Sequence, residues 1–267
     1  SVQNEATAYP IPDDAKVRRP SDFGYEYRIY SKGTMESASR VLGMHVLGAS
    51  LYPFGSDESP IGVGIKTALV LTEQSTLMGP LQISGQGRLW SSRGFDIGLF
   101  AEASLNTLSA EELKKSTFGR DAISFGLSMS KTIDSFFVES RLGYTLGSES
   151  EQQIGSISYR YLFGDIVTAR IQPGFKWNQL RLSAFAEINL AEDYEIAGGA
   201  FSNSTGRFRL ITGGPEVFYS ISSNVKLGLS GRWILDSPPG SDLDMIGNLM
   251  GVGAGQGQWV TSLQVEF

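Results

Sequence analysis

Charged residues in this chain stand at every second position inside otherwise apolar runs, a spacing suited to ion pairing or to lining a polar path. "FDIGLFAEASL" carries Asp96 and Glu102, "LRLSAFAEINL" carries Arg181 and Glu187, and "VKLGLSGRWIL" carries Lys226 and Arg232. Collected along the sequence, the cationic members are Lys66, Arg88, Arg141, Arg160, Arg170, Lys176, Arg181, Lys226 and Arg232. The acidic members are Asp96, Glu102, Glu139, Glu187, Glu216 and Glu266. Two uses fit such a set. The charges pair across neighbouring strands and fill an interior as a polar core, or their small cationic excess lines a narrow water-filled path favouring anionic or polar solutes.

Other residues that do chemistry are scarce. The single histidine, His45 in "LGMHVLGAS", has Met44 and Val46 on the opposite face and is expected to point inward. No serine follows it in a hydrolase-like arrangement and no paired acidic motif accompanies it, so a structural role is expected and an enzyme is not. Cysteine is absent, which excludes a disulfide framework and a thiolate metal site. Asp236, Asp242 and Asp244 read as solvated loop acid rather than a cation site, so no metal is expected. "GVGAGQG" fits G-x-G-x-x-G in no register and opens no helix, so no nucleotide or other cofactor is expected. The sequon at Asn203 is given no weight.

The elements that position the charges are strands. "PIGVGIKTALVL" puts Ile61, Val63, Ile65, Thr67, Leu69 and Leu71 on one face with Gly62, Gly64, Lys66 and Ala68 opposite, and the three runs above behave alike. Similar segments fall near 40–52, 81–90, 121–130, 136–146, 155–163, 167–177 and 207–219, with "FGYEYRIY" from Phe23 as a further candidate. One helical turn or two is expected around "SAEELKK", inside a long loop. Residues 1–22, broken by Pro10, Pro12 and Pro20, read as an extended leader or plug carrying Arg18 and Arg19; residues 23–267 form the folded unit. A net charge of −6 argues against nucleic-acid binding. No run approaches the ~18 apolar residues of a membrane helix.

Strands of 10 to 13 residues exceed the usual ~5–6 and match the ~9–11 tilted residues that cross a bilayer. Aromatics mark the ends of their apolar faces: Tyr52, Phe95, Phe136, Phe175, Trp177, Tyr219, Trp259 and Phe267. Gly and Ser crowd the polar face, as a barrel interior requires. The expected fold is therefore all-β, an antiparallel up-and-down transmembrane β-barrel of about 12 strands, or 14 if a further strand is hidden in 191–205 or 236–253. About 12 or 13 segments alternate, and to keep the number even "FGYEYRIY" is expected either to fall outside the wall or to pair over a shorter length with the next segment. The loops 107–118 and 191–205 come out on opposite sides in that count.

The last strand, with Leu263, Val265 and the terminal Phe267, resembles the C-terminal signature of bacterial outer-membrane β-barrel proteins. In that family this segment is read by the barrel-assembly machinery. The resemblance implies a bacterial outer-membrane location for a mature chain freed of its signal peptide, in contact with the lipid bilayer and lipopolysaccharide. The charges on the inner wall, read as a filter, make a narrow porin-like channel for passive transport of small polar or anionic solutes the expected function. A non-conducting structural barrel, binding an envelope protein partner through its N-terminal segment, is the alternative. An outer-membrane hydrolase using His45 comes third, because barrels of this size include phospholipases, lipid A deacylases and omptin-type proteases.

Overall fold

Alternation commits each strand to one apolar and one polar face, and the pairing of strands decides which face is enclosed. The computed structural model describes residues 22–30, 41–54, 61–72, 76–78, 81–105, 121–154, 156–199, 201–204, 206–236 and 258–266. Its strands are β1 (Asp22–Tyr30), β2 (Val41–Phe54), β3 (Ile61–Thr72), β4 (Thr76–Met78), β5 (Leu81–Ser92), β6 (Phe95–Leu105), β7 (Ala122–Ile133), β8 (Phe136–Thr145) and β9 (Ser148–Ile154). There follow β10 (Ile157–Phe163), β11 (Ile166–Trp177), β12 (Leu180–Ala191), β13 (Tyr194–Gly198), β14 (Phe201–Ser204), β15 (Phe208–Ser220), β16 (Val225–Asp236) and β17 (Gln258–Glu266).

The main sheet runs β2-β1-β17-β16-β15-β12-β11-β8-β7-β6-β5-β3, and β2 also pairs with β3, so it closes on itself as a 12-stranded antiparallel barrel. The short β4 extends the β5 position along the upper part of β3. Closure brings the two ends of the described chain together, with β1 against β17 from Asp22↔Glu266 to Tyr30↔Gln258. Outward residues such as Leu99, Phe125, Leu142, Leu182, Leu227 and Leu263 are exposed, while Arg28, Glu187, Asn189 and Thr212 are among the most buried side chains. The fold is thus inverted relative to a water-soluble protein: apolar without, polar within.

Two expectations about the wall are corrected. "FGYEYRIY" lies in the wall as β1, directing Gly24, Glu26 and Arg28 inward. The segment 155–163 does not: β10 pairs with β9 and β13 in a separate four-stranded sheet ordered β14-β13-β10-β9. Ile157, Ser158 and Arg160 are all exposed, so neither face of β10 is enclosed. The 191–205 region does hold two strands, β13 and β14, but both belong to that second sheet. With β9–β10 and β13–β14 removed from the wall, the longer connections 31–40, 106–120, 146–165, 192–207 and 237–257 all fall at one end. Tight turns at 93–94, 134–135, 178–179 and 221–224 fall at the other, so 107–118 and 191–205 share a side after all. "SAEELKK", residues 1–21, Asp242, Asp244, "GVGAGQG" and Phe267 lie outside the described residues.

Aromatic rings mark two levels of the outer face. Phe23, Trp90, Phe136, Phe175, Trp177 and Tyr219 are exposed toward the tight-turn end, where Phe95 also sits. Near the loop end Phe125 meets Tyr144 at 5.7 Å and Trp233 meets Trp259 edge to face at 5.1 Å. From Phe136 to Tyr144 the strand covers about 27 Å, or roughly 20 Å along the barrel axis, close to the ~25 Å apolar band of a membrane barrel. The Tyr52 side chain is not among those described.

The inward glycines have a packing reason. A Cβ at Gly174 would stand 2.7 Å from the Leu182 carbonyl oxygen and inside the Phe137 ring, and one at Gly126 would strike Phe100. Phe137 is 1% exposed, so its ring has nowhere to retreat. Gly174→Val is expected to cost about 1–3 kcal/mol by overpacking, measured by urea unfolding from lipid vesicles, with Phe137→Leu in the same chain recovering part of the loss.

Outside the wall, Asp165 links the two sheets by accepting hydrogen bonds from the Tyr144 hydroxyl and from the Gly147 amide at 2.6 Å. The Tyr144 hydrogen bond, then the Gly147 amide, hold its carboxyl below the usual range. Because the folded state favours the ionised form, this contribution is present at neutral pH and is lost as pH falls through the lowered value. The protection of the Gly147 amide, taken relative to its intrinsic exchange rate at each pH, is expected to fall in acid in the native chain and to show no such step in Asp165→Asn.

Candidate functional site

Five interior arginines each meet a carboxylate, and three of them a phenyl ring as well. Arg141 Nη2 donates to Glu102 Oε1 at 2.8 Å with its guanidinium 3.5 Å from the Phe100 ring centre. Arg170 Nη2 donates to Glu216 Oε1 at 2.6 Å and lies 4.1 Å from Phe185. Arg181 pairs with Glu139 at 2.8 Å and lies 4.2 Å from Phe137. Arg232 donates to Glu187 and to Thr212 Oγ1, the latter at 3.1 Å. Arg28 and Glu26, two apart on β1, pair at 2.6 Å. A planar guanidinium can bond a carboxylate at its edge and a ring at its face together, which an ammonium cannot.

Apart from Arg28 and Glu26, these pairs skip a strand. Arg141 on β8 reaches over β7 to β6, Arg181 on β12 over β11 to β8, Arg170 on β11 over β12 to β15, and Glu187 on β12 meets Arg232 on β16 over β15. The expectation of nearest-neighbour pairing is corrected by length: adjacent strands are only ~4.8 Å apart, and an arginine lying along the wall spans about two such steps. Small residues clear the way, Gly126 and Ser128 on β7, Gly174 on β11, and Thr212 and Gly214 on β15. Register places Arg170 opposite Glu187, yet Arg170 bonds Glu216 instead.

Neutral groups complete the network. Gln172 Nε2 donates to Glu216 Oε2 at 2.5 Å and to Ser183 Oγ at 2.9 Å. Asn189 Nδ2 donates to Glu187 Oε1 at 3.0 Å and its carbonyl accepts from Thr168 Oγ1 at 2.7 Å. Near the loop end the inner wall turns apolar, with Ile166, Ala191, Phe208 and Leu210 clustered against Ile234. A cavity of about 50 Å³ remains beside Lys66, Glu102 and Arg141, lined also by Ser50, Gln82 and Ser84. That is room for a few waters.

Each charge named from sequence can now be placed. Arg88, Asp96, Glu139, Arg170, Arg181, Glu187, Glu216 and Arg232 are buried in the interior; Lys66, Glu102, Arg141, Lys176 and Lys226 face inward and are half-buried. Lys176 and Lys226 stand at the tight-turn mouth. Arg160 is the correction: it sits on β10 in the second sheet, exposed and paired with Glu149. The Glu266 side chain is not among those described, and Leu263 faces outward on β17 with Val265 on the same face. Asp236 pairs with Arg209 at 2.5 Å.

His45 is a second correction. Val46 is buried, so His45 faces outward, where Nδ1 lies 2.7 Å from the Tyr25 hydroxyl and the ring centre lies 4.7 Å from that of Tyr27, the two planes tilted by 31°. Among the described residues its hydrogen-bond partner is a tyrosine, not a serine. Sequence reasoning missed Glu26, Arg28, Gln172 and Asn189 as interior partners. The signal for the first two was the alternation of β1.

No protein-family model matches the chain, and no curated protein matches it by sequence. Solved structures share the fold. An outer membrane channel from Pseudomonas putida F1 superposes with a TM-score of 0.74 at 10% identity, covering 97% of this chain and 100% of its own. NanC porin gives 0.54 at 8% identity over 92% of this chain and 100% of its own. Outer membrane phospholipase A from Escherichia coli gives 0.50 at 11% identity over 99% and 96%. The fold is that of bacterial outer-membrane barrels.

Breaking one strand-skipping pair tests the network. Glu216→Gln strands the Arg170 charge and is expected to cost about 3–5 kcal/mol, whereas Arg170→Met with Glu216→Gln costs far less because no buried charge is left over. Urea titration of the vesicle-bound protein reads both.

Proposed function

We propose that the chain is an outer-membrane channel of low conductance for small anionic or polar solutes, with its tight turns toward the periplasm. One observation carries this reading: among the described inward-facing side chains cations outnumber acids, with Lys176 and Lys226 at the tight-turn mouth and Lys66 and Arg141 bordering the small interior cavity. The likeness in fold to an outer membrane channel and a porin supports it. A tightly bonded interior limits the path to small solutes, and the small free volume beside Lys66 is where that interior is loosest.

The same bonded interior favours a second reading, a barrel that does not conduct and serves through its loop-end sheet. Recordings in planar lipid bilayers separate the two. A salt gradient is expected to give small current steps with a reversal potential on the anion side, and Lys66→Glu is expected to move that potential toward cation preference. No steps at any voltage would leave the second reading standing.

A further inference from the structure

Among the described residues the lipid-facing wall carries many large side chains, and across β3, β5, β6 and β7 it is sunken. Across β3, β5, β6 and β7 the outward rows are Val63, Gly85, Ala101, Phe125 and Ile61, Gly87, Leu99, Leu127. Gly85, Gly87 and Ala101 form a sunken floor between walls of Ile61 and Val63 on one side and Phe125 and Leu127 on the other, an open apolar trough of about 580 Å³. That size lies within the ~300–1,000 Å³ of ligand clefts. Gly85 is unlike the inward glycines in that a Cβ there would meet nothing within 4 Å, and its φ, like theirs, is not left-handed. Neither backbone conformation nor packing asks for glycine, but an open trough does.

Beyond the trough toward the tight turns, the outer faces of β5–β7 carry Trp90, Ile97 and Met129 and then Phe95 and Lys131. There Lys131 Nζ donates to the Arg93 carbonyl oxygen at 2.9 Å, which fixes the ammonium while leaving two donors. Arg93 heads the 93–94 turn with φ 49°, a left-handed conformation that the equivalent turns fill with Asp134 and Asn178. Asp and Asn tolerate that conformation far better than a long side chain, so arginine there points to a use for its charge. Trp90 and Phe95 meet edge to face at 5.8 Å beside this pair. From Lys131 to Phe125 the depth along the barrel axis is about 15 Å, half of the ~30 Å hydrocarbon core.

We infer that this face holds one glycerophospholipid of the tight-turn leaflet, its acyl chain in the Gly85–Gly87–Ala101 trough and its phosphate between Lys131 and Arg93. The site rests on the membrane-spanning reading of the wall. An apolar trough within one leaflet's depth of two cations on the same outer face complements an acyl chain carrying an anionic phosphate.

The test is native mass spectrometry of the full chain, reconstituted in phosphatidylethanolamine–phosphatidylglycerol bicelles and transferred to mild detergent. One phospholipid is expected to stay bound to the wild type. Gly85→Leu, which fills the floor without a clash, and the double variant Arg93→Asn with Lys131→Gln are each expected to cut retention at least fivefold. Ala186→Leu, on the outer face of β12, is expected to leave it unchanged. Equal retention in all four proteins, or dimers in place of lipid adducts, would overturn the site. Wild-type protein that stays monodisperse without detergent would show instead that the membrane reading itself had failed.

Discussion

A backbone amide in hydrocarbon has no water to bond, and each one left unpaired costs several kcal/mol. The join of β1 to β17, nine residue pairs long from Asp22↔Glu266 to Tyr30↔Gln258, is what removes the last open edge. Once that edge is gone, every wall strand must turn one face to a single enclosed space and the other to whatever surrounds it. Exposed Leu182, Leu227 and Leu142 and buried Arg232, Glu187 and Glu216 follow from that one condition. Removal of β10 from the wall follows too, since a thirteenth strand would leave the up-and-down path unable to close with both ends on one side.

The enclosed space sets a second problem, because charges taken from water lose solvation that pairing must return. The solution here is to hold each arginine on more than one partner: carboxylate and phenyl ring for Arg141, Arg170 and Arg181, carboxylate and threonine for Arg232. Because four of these bonds step over a strand, they tie together strands that share no backbone hydrogen bond. Glycine at 126 and 174 is the condition for that reach, since any larger side chain would collide with Phe100 or Phe137. The result is an interior rigid where β8, β11, β12 and β15 meet, and looser around Lys66, where a few waters fit.

Strand positions and most inward and outward assignments were legible because a period of two survives without knowledge of partners. What failed had no such signal. β10 alternates as well as any wall strand, and only its seven residues, short beside the twelve of β11 and β12, marked it out. His45 is flanked by apolar residues on both sides, so periodicity leaves its phase open; the pairing of Val46 with inward Glu26 decides it. The arginine partners depend on registers summed over three strands, information that no local window contains. Alternation put Gly64 and Gly85 on opposite faces but not their surroundings: a Cβ at Gly85 would meet nothing within 4 Å, while one at Gly64 would stand 2.6 Å from the Ser84 hydroxyl.

The central claim is that hydrocarbon covers the Leu182 side of the wall while the Ser183 side is enclosed. A chain with no native cysteine permits single spin labels to be placed at each position from 181 to 189 in vesicle-bound protein. Collision rates with oxygen and with a water-soluble nickel complex are then read along β12. The account predicts oxygen maxima at Leu182, Ala184, Ala186 and Ile188 and minima between them, a strict period of two. Nickel accessibility peaking at those same even-numbered positions would contradict it.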